Sequence, residues 1–375
     1  MSSESASGFN PPPYPYDRLD SIIEIAQSWT GGMVDLSVGT PVDAPIAKVV
    51  DALSSSNMER GYPTSLGSKQ LRESMARWLN RSFAVTISEA NIASCIGTKE
   101  FVASAPWYLK LRYPGKDTVL YPAVSYPTYA FGADLAQCRA VPVQIDESGR
   151  LELERIGKED LNRALMLWSN SPSNPTGKLD DLAKLYEFAN ETGIPVFSDE
   201  CYSEFTWTQD PDSILKYGSS NVVAVHSLSK RSNLAGARVG FYAGDRNLVD
   251  YLGLIRKHAG MMVPGPIQHA AKLAFDDDDH VARQRRTYLN RLDFMVAVLR
   301  QCGYKVEKPD GGFYLWFRSE LEDGFELAAE LAQRLGILVS PGEFYGDKSR
   351  PYVRIAMVAS MDKLELVAER GSKKG

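Results

Sequence analysis

The chain has 375 residues, 44% hydrophobic and 24% charged, with a formal net charge of −5 at pH 7. This is the make-up of a globular protein of about two domains, and the acidic balance excludes a general nucleic-acid binder, which carries a basic face. Four cysteines, at 95, 138, 201 and 302, form no CxxC pair, and the four histidines are scattered, so reduced cytosolic thiols and no metal centre are expected.

The first twenty residues lack the basic start and apolar core of a signal peptide. No apolar run approaches the roughly 20 residues of a membrane span, and the expected location is the cytoplasm. Residues 1 to about 17 turn from polar to Pro- and aromatic-rich, the composition of an arm laid over a surface. Asp20–Trp29 is predicted as a short helix. Val34–Val38 alternates like a strand and stops at Gly39-Thr40-Pro41, where glycine lets a ligand approach the backbone.

After an irregular segment opening with Arg60-Gly61-Tyr62-Pro63, a helix starts near Ser68 with Leu71, Met75, Trp78 and Leu79 on one face. The strand Ile92–Ile96 leads through Gly97-Thr98-Lys99-Glu100 into an apolar helix ending near Leu111. Unpaired N–H groups and the helix dipole at such a start suit an anion, although many strand–helix turns carry a glycine for no such reason. Strands and helices then alternate. Strands are predicted at Thr118–Tyr121, Arg163–Trp168, Ile194–Ser198 and Val222–His226, with a short helix after Tyr129 and a longer one at Asp180–Thr192. This pattern calls for an α/β fold with a mostly parallel sheet flanked by helices and ligands at the carboxyl ends of its strands.

Asp276–Asp279 reads as a solvated loop or helix cap. A helix over Arg283–Gln301 leads into a smaller α+β unit: a strand at Gly311–Phe317, a helix over 325–335, strands at Ile337–Val339 and Val353–Ala356, and a frayed end from Gly371. The expected division is a large domain over 46–285 and a small domain built from 1–45 and 286–375.

The stretch Val222–Gly244 concentrates the chemistry. A buried strand gives way to Ser227-Leu228-Ser229-Lys230, and a second strand resumes from Arg238. An amine just past a strand end, beside hydroxyls and a guanidinium, suits condensation with an aldehyde cofactor whose phosphate the neighbours hold. A lone SxSK is more often an ordinary strand and loop, so the reading depends on the rest of the chain. Asn174, Asp199, Ser227 and Lys230 all follow predicted strand ends. Asp199 suits the protonated nitrogen of a pyridine ring, Asn174 and Tyr202 its phenolic oxygen, and Tyr126 its face. Thr98 and Lys99 amides, the Ser227 and Ser229 hydroxyls and Arg238 suit the phosphate. Lys230 is also the candidate proton carrier. Arg354, assisted by Asn174 and the Gly39 backbone, suits the α-carboxylate of an amino acid, because a planar guanidinium grips it twice.

These residues lie in GYPTSLGSKQLR (61–72), GTKE (97–100), SYPTY (125–129), SNSPSNPTG (169–177), SDECY (198–202), SLSK…R (227–238) and VRIA (353–356). In that order the chain resembles the class I/II aminotransferases of fold type I, which use pyridoxal 5'-phosphate (PLP). The resemblance implies a homodimer with active sites at the subunit interface, and a place for Tyr62 at the partner's cofactor phosphate. A narrower likeness, in PYPYDRLDSIIEIAQ…VDLSVGTPVDAP and in RKHAGMMVPGP (256–266), is to the actinobacterial N-succinyldiaminopimelate aminotransferases. It implies exchange of the amino group of N-succinyl-LL-2,6-diaminopimelate with 2-oxoglutarate, a step of lysine and diaminopimelate biosynthesis. Ala123 departs from the tryptophan that aspartate-type members often carry near the ring. Arg18, Lys257 and His258 are candidates for the distal group. Other aminotransferases (aspartate-like, acetylornithine-like or aromatic), a PLP-dependent β- or γ-lyase and a non-enzymatic regulator on the same fold remain as alternatives.

Overall fold

A computed structural model describes residues 9–55 and 57–372. The chain opens with α1 (Asp20–Gln27), β1 (Val34–Asp35), α2 (Ala47–Ser55) and α3 (Lys69–Phe83). Next come β2 (Ile92–Cys95), α4 (Thr98–Arg112), β3 (Thr118–Pro122), α5 (Thr128–Leu135), β4 (Arg139–Val143) and α6 (Lys158–Arg163). The alternation continues through β5 (Ala164–Asn170), α7 (Leu182–Thr192), β6 (Val196–Asp199) and β7 (Val222–Ser227), and the short α8 (Leu228–Arg231) carries the candidate lysine. Then follow β8 (Gly240–Gly244), α9 (Arg246–His258), α10 (Gly265–Phe275) and α11 (Asp279–Gln301). The last part holds β9 (Tyr314–Arg318), α12 (Gly324–Leu335), β10 (Ile337–Leu338), β11 (Ser340–Pro341), β12 (Tyr352–Ala356) and α13 (Met361–Ser372).

Seven strands form the central sheet in the order β2-β8-β7-β6-β5-β3-β4. All pairings from β7 to β4 are parallel, whereas β8 is antiparallel to both β7 and β2. Two reversals cancel, so β2 runs with β7 and only β8 opposes the rest. The carboxyl ends of β2, β3, β5, β6 and β7 therefore share one edge with the amino end of β8. The chain also doubles back there: β4 lies on one side of β3 and β5 on the other, and a sheet of this kind opens a crevice at such a reversal.

Burial explains why the central strands are legible as apolar runs. Every residue of β5, β6 and β7 is buried. Leu167, Val196, Val222 and Ala224 face one hydrophobic cluster, while Trp168, Phe197, Val223 and Val225 face another on the opposite side. Two-sided burial removes the polar alternation of a half-exposed strand. A third cluster joins α1, α12, α13 and the antiparallel sheet β11-β12-β9, with Tyr288, Leu292 and Met295 of α11 among its members. Near its start, α11 instead touches the large sheet's side, His280 bonding Ser232 at 2.8 Å and Gln284 taking the Asn233 amide at 2.9 Å. One continuous helix thus serves both halves.

Several local expectations change. Of the predicted 34–38 strand, Val34 and Asp35 form the ladder and Leu36 still donates to the Leu338 carbonyl at 2.9 Å and accepts from Ala356 N at 2.8 Å; beyond it the Asp35 carboxylate accepts from Ser37 N at 2.9 Å and the backbone turns away. The strand after the lysine begins at Gly240, since Arg238 itself adopts a left-handed conformation with φ 52°. The aspartate run is the expected loop and helix cap, Asp277 accepting from His280 N at 2.9 Å at the start of α11, but it is ion-paired: Asp276 with Arg77 and Lys272, Asp277 with Lys48, and Asp278 with Arg81. It leads directly into α11, which starts four residues earlier than predicted. Gly371 and Ser372 belong to α13, and 373–375 lie outside the described residues, as do 1–8 of the predicted arm. Among the described residues no helix is long and apolar enough to cross a membrane, and no cluster of acidic, histidine or cysteine side chains has a metal-binding arrangement.

Candidate active site

A cavity of about 480 Å³ opens at the shared edge of the sheet. The carboxyl ends of β2, β5, β6 and β7 and the segments that follow them bring Thr98 and Lys99, Asn174, Asp199 and Tyr202, and Ser227, Ser229 and Lys230 to its wall. The reversed strand β8 explains how Arg238 joins them: the residue precedes the amino end of β8, which lies on the same edge as the other strands' carboxyl ends. Tyr126 follows β3, Gly39 follows β1, and Arg354 reaches in from β12. Twelve of the thirteen residues assigned from sequence to the cofactor, the catalysis or the α-carboxylate thus meet in one space, whereas Arg18, Lys257 and His258, offered for the distal group, do not line it. The thirteenth, Tyr62, is fully exposed and lies away from this cavity in its own chain.

The charged lining is Lys99, Lys230, Arg238 and Arg354 against Asp199 alone. Such an excess of cations favours an anionic occupant. Lys230 hydrogen-bonds through Nζ to the Gly39 carbonyl. Burial, reinforced by the Arg354 and Arg238 cations, lowers its pKa from the usual lysine value to about 8. That leaves an appreciable neutral, nucleophilic fraction near neutral pH. The Gly39 carbonyl accepts from Lys230, and its N–H is the backbone group that can donate to a substrate carboxylate. Glycine is required at 39 by contact: a Cβ there would lie 2.1 Å from the Tyr314 hydroxyl.

Asp199 is 8% exposed, and burial raises its pKa. Its Oδ2 accepts from the Tyr129 hydroxyl at 2.9 Å and its Oδ1 from Cys201 N at 3.2 Å. Tyr129 is itself buried, which with the neighbouring carboxylate holds its phenol well above the usual range and keeps it a donor. Asn170, opposite Asp199 across the β5–β6 ladder, accepts from Asn174 N at 2.7 Å and donates to the Asp199 carbonyl at 2.8 Å. Tyr202 shares a 2.9 Å hydrogen bond with Tyr314.

At the other end of the cavity lies an anion cradle. The fifteen-residue α4 starts after Gly97, at φ 73°, and has no side-chain cap on its first amides. A Cβ at 97 would fall 2.1 Å from Arg238 Nη2, so glycine lets the guanidinium lie against the helix start. The Ser227 and Ser229 side chains adjoin it on the cavity wall. Exposed amides, the helix dipole, hydroxyls and a guanidinium together suit a phosphate.

Arg354 is 3% exposed and has no carboxylate partner among the described residues. Its Nη1 donates to Asn174 Oδ1 at 2.8 Å, and its Nη2 to Tyr16 Oη at 3.2 Å and to the Ser37 carbonyl. The guanidinium carbon lies 4.2 Å from the Tyr314 ring centre and 4.9 Å from that of Tyr345, and Nε is buried without a partner. Burial works against the charge, but the surrounding phenols outweigh it and its pKa is raised.

Residues 31–370, which span the whole of this site apart from Tyr14 and Tyr16, match the family described as aminotransferase class I and II. The chain belongs to the class I and II aminotransferases. A probable aminotransferase of Mycobacterium tuberculosis is 40% identical over 96% of this chain and 85% of its own. The 4-dedimethylamino-4-oxo-anhydrotetracycline transaminase of Streptomyces rimosus is likewise 40% identical, over 96% and 98%. The LL-diaminopimelate aminotransferase of Aquifex aeolicus is 31% identical over 96% of both chains. Among solved structures, a probable N-succinyldiaminopimelate aminotransferase from Thermus thermophilus has a TM-score of 0.84 at 26% identity, covering 96% of this chain and 100% of that one.

Aminotransferases of this family depend on PLP and act on amino-acid and 2-oxo-acid substrates. The cavity fits that cofactor on its own evidence: a cradle for a phosphate, a buried carboxyl lacking a counter-cation, and a lysine between them whose pKa is depressed. Three contributors went unrecognised in the sequence. Tyr129 lies within the SYPTY motif, so that motif carried a signal. Asn170 likewise lies within SNSPSNPTG and bonds Asn174 in the same motif, whereas Tyr16 gave no local signal, since its partner Arg354 is far from it in sequence.

Proposed function

We propose that this aminotransferase exchanges the amino group of N-succinyl-LL-2,6-diaminopimelate with 2-oxoglutarate. The observation that carries the reading is Arg354, a buried guanidinium held by neutral groups and lacking a carboxylate of its own. Substrates on both sides of this exchange bring an α-carboxylate to it. The named relatives that act on diaminopimelates support the choice of donor, and so does the likeness of residues 256–266. The anhydrotetracycline transaminase shows that chains this similar also serve bulky cyclic ketones, which makes the donor the point to test.

When bound, PLP supplies an aldehyde and an electron-withdrawing ring. In this reading Lys230 would be the residue that holds the aldehyde end of the cofactor, and its amine, freed when substrate binds, would carry the proton lost from the substrate's α-carbon. Asp199, oriented by Tyr129 and the Cys201 amide, holds the proton on the ring nitrogen. Asn174 uses its oxygen to align Arg354, which leaves its amide hydrogens, with the Tyr202 hydroxyl, for the ring oxygen. Tyr126 covers the ring face. The Thr98 and Lys99 amides, Ser227, Ser229 and Arg238 hold the phosphate. We also take the working unit to be a homodimer, in which the exposed Tyr62 of each protomer reaches the other's cradle, and residues 46–285 to act as the large domain.

A panel of amino donors, each assayed with 2-oxoglutarate for glutamate formation, tests the proposal. The succinylated donor should give the highest kcat/KM. Preference for aspartate, an aromatic amino acid or a cyclic amine would reassign the substrate, and release of ammonia with pyruvate would point to elimination.

A further inference from the structure

Residues 38–43, between β1 and α2, form no helix or strand, yet they carry Gly39 to the wall of the catalytic cavity. Among the described residues, hydrogen bonds tie this segment to the rest of the chain at its two ends. Gly39 accepts from Lys230 Nζ through its carbonyl, and Asp43 accepts from α11 through its carboxylate. Arg291 grips the Asp43 oxygens at 2.6 and 2.7 Å, and Gln284 Nε2 donates to Oδ2 at 2.8 Å. The Gln284 oxygen in turn accepts from Asn233 Nδ2 at 2.9 Å. Asn233 follows Lys230 closely in the chain and stands at a left-handed φ of 56°, which asparagine tolerates. Gln284 is 7% exposed, and its amide has one orientation, because its N–H and not its oxygen must face the carboxylate. His280, Gln284 and Arg291 lie along one face of α11. His280 holds the lysine segment through Ser232 at 2.8 Å, and Arg291 holds the glycine segment through Asp43. Gln284 bonds both.

We infer that Gln284 is a positioning residue for the reaction, keeping the Gly39 segment in register with the segment of Lys230 through Asp43 on one side and Asn233 on the other. The need for it comes from the chemistry. Once Lys230 holds the aldehyde end of the cofactor, it gives up its bond to Gly39. Asp43 is then the hydrogen-bonded point that fixes residues 38–43 while the Gly39 N–H meets the substrate carboxylate. Gln284 acts from outside, since it does not line the cavity. Its role rests on those proposed for Lys230 and the Gly39 N–H, and not on the identity of the amino donor.

The test compares wild type with Gln284→Leu, Asn233→Gly and the double variant in the half-reaction of the PLP-loaded enzyme with glutamate, followed by the cofactor's absorbance. Leucine removes both hydrogen bonds at similar volume and leaves Asp43 its arginine. Glycine removes the Asn233 amide at a φ it adopts freely, and serves by itself if the leucine variant folds poorly. Each substitution should raise KM for glutamate about three- to tenfold, the worth of a hydrogen bond, with kcat within about threefold of wild type. The double variant should lose no more than the weaker-binding single one, because both changes break one chain of bonds. Urea unfolding of each variant separates lost binding from lost stability. An unchanged KM, losses that multiply in the double variant, or a fall in stability alone would overturn the inference. Borohydride labelling of the same samples separates that result from failure of the reading beneath it. Cofactor fixed at Lys230 with KM unmoved removes the positioning role only, whereas a wild type unlabelled at Lys230, or inert toward glutamate, removes both.

Discussion

Arg231 and Arg354 are equally buried, at 3% exposure each, yet they are satisfied in opposite ways. Arg231, next to Lys230 in the chain, pairs with Glu204 and donates to the Ala274 carbonyl at 3.1 Å, with Trp78 and Phe275 against its plane. The Glu204 carboxylate is fixed in turn by Trp78 Nε1 at 3.0 Å. Arg256 with Glu100 and Arg291 with Asp43 repeat the arrangement. Arg354 across the cavity has phenols, an amide oxygen and a carbonyl instead. Leaving a buried cation without its counter-charge costs several kcal/mol, so a fold that keeps one gains when an anion arrives. The buried arginine that has its own carboxylate is part of the scaffold. Arg370, also buried without a carboxylate, is held by four backbone carbonyls away from the cavity, whereas Arg354 lines the cavity and is the one proposed to bind substrate.

Substitutions on either side of this contrast separate the two roles. The largest effect is expected from the amine between the two arginines. Lys230→Ala should lower transamination by on the order of 10⁴-fold and remove the absorbance of the lysine-linked cofactor; an unchanged spectrum would deny Lys230 that role. Next come the arginines themselves. Glu204→Gln strips Arg231 of its counter-charge and should destabilise the protein by about 3–5 kcal/mol, read from urea unfolding, with KM changing only a few-fold. Arg354→Met should do the reverse, leaving stability unchanged or raised while kcat/KM for both substrates falls by about 2–5 kcal/mol. If Arg354→Met unfolds the protein as readily as Glu204→Gln does, the distinction fails. A loss confined to one substrate would take Arg354 out of carboxylate recognition.

A smaller effect, about 1–3 kcal/mol, is expected for Tyr129→Phe, because Asp199 loses the hydroxyl donor on Oδ2 and keeps the Cys201 amide, while the ring stays packed on Trp168. It should appear in kcat and in the pH at which the cofactor band shifts; a fall in stability without those changes would make Tyr129 a packing residue only. The mildest test is pH. Because burial lowers Lys230 to about 8, cofactor attachment to the apo-protein should accelerate about tenfold per unit as pH rises toward 8 and level off above it. An ordinary lysine would keep accelerating toward about pH 10.4. The same shift means that the apo-protein gains stability from this group between about pH 8 and the ordinary lysine value, where the unfolded chain still holds the proton and the folded one does not.

Much of the fold was legible because its central strands are buried on both faces and read as unbroken apolar runs. The edge strand β4 was not: it is five residues long, only partly buried and contains Pro142, which suits an edge and hides the strand from pattern reading. The helices α2, α9 and α10 were also passed over. Positions at strand ends pointed to Asn174, Asp199, Ser227 and Lys230, and parallel-sheet geometry gathers such ends. The cage around Arg354 was not legible in the same way. Tyr16, Ser37, Tyr314 and Tyr345 come from four separate segments, and nothing local in any of them marks a guanidinium partner.

The most direct measurement is borohydride reduction of the PLP-loaded enzyme followed by peptide mass mapping. A single phosphopyridoxyl group is expected on the peptide containing Lys230, lost in Lys230→Ala. A label on another lysine, or none on a protein that still transaminates, would contradict the central role given to this amine.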